Sequence, residues 1–266
     1  MKKHFVLWCL ILALLFLTAC NFTELTQPPV FETETQQPTS TNIPETQNTE
    51  PTQTNAPEPQ HSVLYLPEVS VEQVIGYFNE VCLDSEFVNS GDPSVIQKWT
   101  TPIRYTIEGS YTQEDIATLR NFESFLNDIE GFPGISQTDD PADGNMRICF
   151  GDKQNMLDLL GPNFANMDGG VTFWYSGTNK IYNAIICYRT DIDQTTRNSV
   201  ILEEIYNGLG PVQDTERTDS IIYTGFSTPQ WLTDVDILIL QLLYHPDIRP
   251  GMNAQQCEQV IRNLYH

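Results

Sequence analysis

Apolar positions from residue 71 onward recur with a helical period in some stretches and alternate in others. Ser70-x-x-Gln73 has the form of a capping box. Val71, Val74, Ile75, Phe78, Val81 and Cys82 follow at helical spacing and predict a first helix. Trp99 to Gly109 is β-branched and alternating, which predicts a strand, with Pro102 placing its start at an edge or outside the ladder. Thr112-x-x-Asp115 caps a long helix carrying Ile116, Leu119, Phe122, Leu126 and Ile129 that stops at Gly131. Residues 132–144 are rich in Gly, Pro and Asp and predict a loop. A short strand, Met146 to Phe150, and a short helix, Lys153 to Leu160, follow. Val171 to Tyr175 and Ile181 to Tyr188 predict two strands joined by Ser176-Gly177-Thr178-Asn179, a hairpin signal. Thr195 to Leu209 predicts a helix. Thr233-x-x-Asp236 caps another through Tyr244, and Asn253-x-x-Gln256 caps the last, with Cys257, Val260, Ile261 and Leu264 inward. There are no internal repeats. This order predicts an α/β or α+β domain with a mixed, twisted sheet and helices around it.

The pattern changes before residue 63. Lys2, Lys3 and His4 precede an apolar run, Phe5 to Leu17, too short for a stable membrane span. The run ends in Leu17-Thr18-Ala19-Cys20, which resembles a bacterial lipobox. Residues 1–19 therefore read as a lipoprotein signal peptide and Cys20 as the lipidated residue. Residues 20–62 are rich in Thr, Pro, Gln and Glu and cannot bury enough apolar surface to fold, so they read as a disordered tether. Residues 63–266 form the globular domain. The expected location is the extracytoplasmic face of the cell membrane, held through acyl chains, of which two or three anchor stably where one does not.

Charge and cysteines sharpen this picture. The chain has 35 acidic and 13 basic residues, a net charge of -22, which argues against nucleic acid and anionic lipid surfaces as partners. Cys9 leaves with the signal peptide and Cys20 carries the lipid. Cys82, Cys149, Cys187 and Cys257 remain, an even number with no C-x-x-C pair, which in an exported chain predicts disulfides. Three pairings are open. Cys82–Cys257, on two apolar helix faces, and Cys149–Cys187, on two predicted strands, are the favoured set.

The chemically informative stretch is residues 203–213, Glu203-Glu204-Ile-Tyr-Asn207-Gly-Leu-Gly210-Pro-Val-Gln213. It has the spacing of the zinc-protease motif H-E-x-x-H-x-x-G-x-x-H but contains no histidine. Glu204 stands at the general-base position and Gly210 at the turn glycine. Glu203, Asn207 and Gln213 stand at the three metal-ligand positions. Asn and Gln are weak neutral ligands, and zinc favours His and Cys. Glu203, Glu204 and Asp214 offer oxygens to a harder ion such as calcium. The same helix also has a polar stripe, Thr196, Ser199, Glu203 and Asn207, opposite Ile201, Leu202, Ile205 and Leu209, as any solvated amphipathic helix does.

Further segments carry a resemblance. Asp219 to Tyr223 resembles the Met-turn region of metzincin proteases, with Ile222 at the methionine position. Leu232-Thr233-x-x-Asp236 and Leu240-Gln241-x-Leu243-Tyr244 resemble the closing helix of matrix-type metalloproteases. Lys98, Trp99, Pro102, Ile103 and Arg104, then Glu203, Glu204, Leu209, Gly210 and Asp214, then Leu243 to Met252, resemble a family of bacterial lipoproteins known as domain of unknown function 2927, over residues 95–262. The resemblance implies a zincin or metzincin-like fold, an extracytoplasmic lipoprotein and no assigned activity. The expected function is a non-catalytic, protease-like domain, without cofactor, that binds a peptide or cell-envelope partner. The alternative is a divergent hydrolase using Glu204, with or without a non-zinc metal.

Overall fold

The structure, a computed structural model, describes residues 63–83, 94–225 and 228–266. The predicted signal peptide, the lipidation site Cys20 and the tether lie outside these residues. Among them, six strands and six α-helices make a mixed α/β domain.

The sheet is built on four parallel strands. Strand β2 (Ile103–Gly109) lies between β3 (Ile135–Gln137) and β4 (Met146–Gly151), and β4 pairs with β6 (Lys180–Arg189), all parallel. The two-residue β1 (Lys98–Trp99) pairs in parallel with the start of β6, Lys98 opposite Lys180. Strand β5 (Gly169–Tyr175) runs antiparallel along β6 and ends the sheet. Its antiparallel direction follows from the four-residue turn Ser176 to Asn179, since a parallel strand would need a crossover of a dozen or more residues.

Helix α4 (Gln194–Gly208) packs against β5, β6 and α2 (Gln113–Asn127). Tyr105, Met146, Ile148, Phe150, Ala184, Ile186 and Tyr188 are buried in the main core with Leu119, Phe122, Leu202 and Ile205. On the other side, α3 (Lys153–Leu160) packs on β4, β5 and β6, and Met156 joins Cys149 and Cys187 in a smaller cluster. Helices α2 and α4 are tied by a buried ion pair. Arg197 Nε donates to Asp115 at 2.8 Å, and Gln194 Nε2 donates to the same oxygen at 2.7 Å. Burial works against the Asp115 charge, but Arg197 and the Thr112 backbone hold its pKa below the ordinary carboxylate value.

The Lys98-Trp99 pair has a specific role. Trp99 Nε1 donates to Gly208 O at 2.9 Å, meeting a carbonyl at the end of α4. Lys98 Nζ donates to Leu243 O at 2.7 Å, at the end of α5 (Asp234–Tyr244). The last carbonyls of a helix have no intrahelical partner and carry partial negative charge, so a buried ammonium there is favoured. Burial nevertheless lowers the Lys98 pKa to about 8. Helix α1 (Val71–Leu83) packs on α5 and on α6 (Ala254–Leu264), closing the domain where its two ends meet.

Two predicted elements need correction. The strand expected from Trp99 to Gly109 is two strands, because Pro102 interrupts it and Ile103 N turns to Gly134 O at 2.8 Å. Residues 132–144, expected as loop throughout, contain β3. It pairs with β2 on one side, and on the other Asn127 Oδ1 accepts from Ile135 N and Asn127 Nδ2 donates to Ile135 O, standing in for a further strand backbone. Only Ile135 of its three residues is buried, so there is almost no alternation to read.

Candidate functional site

Helix α4 starts at Asp193, whose side chain accepts from Thr196 N, and runs beneath the antiparallel edge of the sheet. Its contact with β5 is close at two glycines. A Cβ on Gly169 would lie 2.4 Å from Val200 Cγ1 and 3.0 Å from Glu204 Cγ; one on Gly208 would lie 3.3 Å from Val171 Cγ2. Small residues at these points let strand and helix backbones approach. Gly169→Ala is expected to destabilise the protein by about 1–3 kcal/mol through overpacking, measured by urea unfolding. A loss below about 0.5 kcal/mol would show that α4 yields freely there.

Glu204 faces inward from this contact and is buried. Burial, then the charges of Glu203 and Asp214, push its pKa well above the ordinary carboxylate value. Its carboxyl is thus held in the neutral, proton-carrying form over a wider pH range than a free glutamate. Glu203 and Asp214 are only partly buried beside it. Asn207 Nδ2 donates to Asp214 Oδ1 at 3.4 Å, while Asn207 Oδ1 is buried without a hydrogen-bond partner. Gln213 is held by its backbone: Val212 N and Gln213 N both donate to Val81 O, at the end of α1. Gly210 has φ of 129°, and a Cβ there would lie 2.5 Å from Gln97 O, so this turn needs glycine.

Beyond α4 the chain closes on itself. Thr215 N donates to Ile222 O at 2.9 Å and Thr224 N to Thr215 O at 3.0 Å, leaving Ile221 and Ile222 buried. Asp236, in the first turn of α5, holds this loop. Its fully buried carboxylate accepts from Ser220 Oγ (2.7 Å), Ile221 N (3.1 Å), Tyr77 Oη (3.2 Å), Thr233 N and Thr233 Oγ1 (both 3.0 Å). The capping box at Thr233 is present.

The predicted ligand positions do not suit zinc. One carboxylate and two amides are the wrong donors for it. The Asn207 amide is turned to Asp214, and Gln213 is tied to α1. Among the described residues, no three His, Cys, Asp or Glu side chains stand close enough together to share a metal ion. What the structure brings together is Glu203, Glu204 and Asp214, an electrostatic group with Asn207 at its side. Gly169 and the hub role of Asp236 were missed from the sequence. The Gly169-Gly170 pair at a strand start was the available signal for a close backbone approach.

Comparison with known proteins adds a decisive match. Residues 71–263 match the profile of the family described as protein of unknown function (DUF2927). The chain belongs to this family. The DUF2927 match starts on the first residue of α1 and ends within α6, so the family unit is the folded domain just described. No curated protein matches the chain. Among the described residues, no helix of this DUF2927 domain is long and apolar enough to cross a membrane.

Proposed function

We propose that this domain is a metzincin-like frame without zinc chemistry, tethered through Cys20 to the extracytoplasmic face of the membrane, where it binds an extended peptide. The observation that carries the reading is the edge strand β5. It pairs only with β6 among the described strands, and it exposes Trp174 and Tyr175 at one end. A sheet edge presents a row of backbone donors and acceptors to which a peptide adds as a further strand. Support for the metzincin-like frame comes from the antiparallel edge strand above the motif helix, the closed loop at residues 215–224 and the capped helix after it. The partly exposed Glu203 and Asp214, whose charges reach Glu204 beneath Gly169 at the other end of β5, and the net charge of -22 favour a peptide with basic side chains.

The test is binding of a fluorescent peptide of alternating valine and lysine to the purified chain, beside the same peptide N-methylated at every second residue. Loss of two backbone hydrogen bonds is worth about 1 kcal/mol each, so methylation is expected to weaken binding by at least about tenfold. Equal affinity of the two peptides, or none for either, would remove β-addition as the mode of action.

One observation favours a second reading, a hydrolase using Glu204. A raised carboxyl pKa is what a general acid or base needs at neutral pH. Against it stands the packing of Glu204 under Gly169, which leaves its carboxyl little access to a substrate. Peptide turnover that disappears in a folded Glu204→Gln variant would establish the second reading over the first.

A further inference from the structure

On the face of the sheet away from α4, four residues stand in one row across four strands. Glu108 on β2 is the register partner of Cys149 on β4, Cys149 of Cys187 on β6, and Cys187 of Gly170 on β5. Neighbouring strands lie about 4.8 Å apart, inside the roughly 4.4–6.8 Å between Cα atoms that a disulfide spans. Both cysteines are thiols in this structure. Cys149 Sγ donates to Glu108 Oε1 at 3.1 Å, and Glu108 is also paired with Arg147, whose Nη2 donates to Glu108 Oε2 at 3.0 Å. Met156, Leu160 and Phe164 cover the sulfurs from α3 and the turn after it. Gly170 makes room for that cover: a Cβ there would lie 2.3 Å from Phe164 Cδ1. Beside the row lies a cleft of about 400 Å³ lined by Glu108, Arg147, Met146 and Ile185, and Cys149 and Cys187 are buried behind this lining.

We propose that Cys149 and Cys187 are an exchange-active dithiol that cycles between thiols and a disulfide, using a small disulfide compound as oxidant, with Cys187 as the attacking sulfur. The Cys149 thiol beside it and then the nearby Arg147 charge lower the Cys187 pKa against the effect of burial, while Cys149, facing Cys187 and bonded to Glu108, has its pKa raised. In the first step the Cys187 thiolate attacks one sulfur of the oxidant, forms a mixed disulfide and releases one thiolate. That thiolate takes the Cys149 proton. The Cys149 sulfur then attacks Cys187 Sγ, the mixed disulfide breaks, and a second thiolate leaves. The protein loses two electrons and the oxidant gains them. A reduced state stabilised as a thiolate makes a disulfide easier to reduce again. Cys82 and Cys257, near each other between α1 and α6, differ in this respect. Burial raises both of their pKa values, so an 82–257 bond is slow to exchange.

The test equilibrates the purified full chain in graded mixtures of oxidised and reduced glutathione, traps free thiols by alkylation and digests with trypsin. Cleavage after Arg147, Lys153, Lys180 and Arg189 yields Ile148–Lys153 and Ile181–Arg189, which a 149–187 bond joins. The joined peptides are expected under oxidising mixtures and are lost under reducing ones. Cys149→Ser is expected to accumulate glutathione on Cys187, and Arg147→Met to slow the reaction about threefold in line with a weaker thiolate. Absence of the joined peptides at every ratio, in protein whose circular dichroism is native, would overturn the proposal. So would a 149–187 bond that reduced glutathione leaves intact, which marks an inert structural bridge.

Discussion

Replacing Glu204 with glutamine is expected to leave stability unchanged at pH 4 and to raise it progressively at higher pH. The sign follows from proton counting. The folded-state pKa is raised by burial and by Glu203 and Asp214. Above about pH 4.3, the ordinary glutamate value, the unfolded chain loses a proton that the folded protein keeps. The folded state then binds more protons, so its stability falls as pH rises, by up to about 1.4 kcal/mol per pH unit. The contribution is complete below the unfolded value and is lost as pH approaches the raised folded value. Glutamine has nearly the same shape and no proton to lose. Urea unfolding of both proteins at pH 4, 5, 6 and 7 is expected to show a gap that widens from each pH to the next until the raised folded value is reached. A gap constant with pH would mean that Glu204 is ionised in the fold.

Asp236→Ala is expected to be the most destabilising single change at a side chain in this protein. Tyr77, Ser220, Ile221 and Thr233 donate to its carboxylate, and the site is fully buried. Each buried donor left without an acceptor costs about 1–3 kcal/mol, so the total is at least about 4 kcal/mol. For a domain of this size that lowers Tm by roughly 10 °C or more. Asp236→Asn keeps one acceptor oxygen but turns an NH2 group toward donors, so it is expected to fall between the two. A loss under about 1 kcal/mol for the alanine variant would show that loop 215–224 is held by something else.

Elements with strong local signals were legible in the sequence. The capping boxes at Thr112, Thr233 and Asn253 are all present, because a cap depends on residues three apart in the chain. Gly210 was legible for the same reason: its positive φ is a local property of the turn. Strand β3 was not, since it pairs with β2, more than thirty residues back in the chain, and with the Asn127 side chain, and its sequence has one buried residue. Asp236 was read as a cap alone, because its other donors are as far as 159 residues away. At the candidate site the spacing of residues 203–213 located the helix but not its chemistry. That Glu204 is buried against Gly169, while Glu203 and Asp214 remain partly exposed, depends on how β5 crosses α4. No local pattern encodes that crossing.

The Lys98-Trp99 pair sets an order of events when the chain emerges N-terminus first. Lys98 bonds Leu243 O, 145 residues later, and Trp99 bonds Gly208 O, 109 residues later. Tyr265 reaches back to Leu66 O across 199 residues. Contacts of such separation form only after the loop-closure entropy of the intervening chain has been overcome. Trp99 can join the end of α4 once Gly208 is available, but Lys98 has no helix end to join until α5 is complete. The seam that β1 makes between the ends of α4 and α5 is therefore expected to shut last, after the strands and helices before residue 209 have found one another.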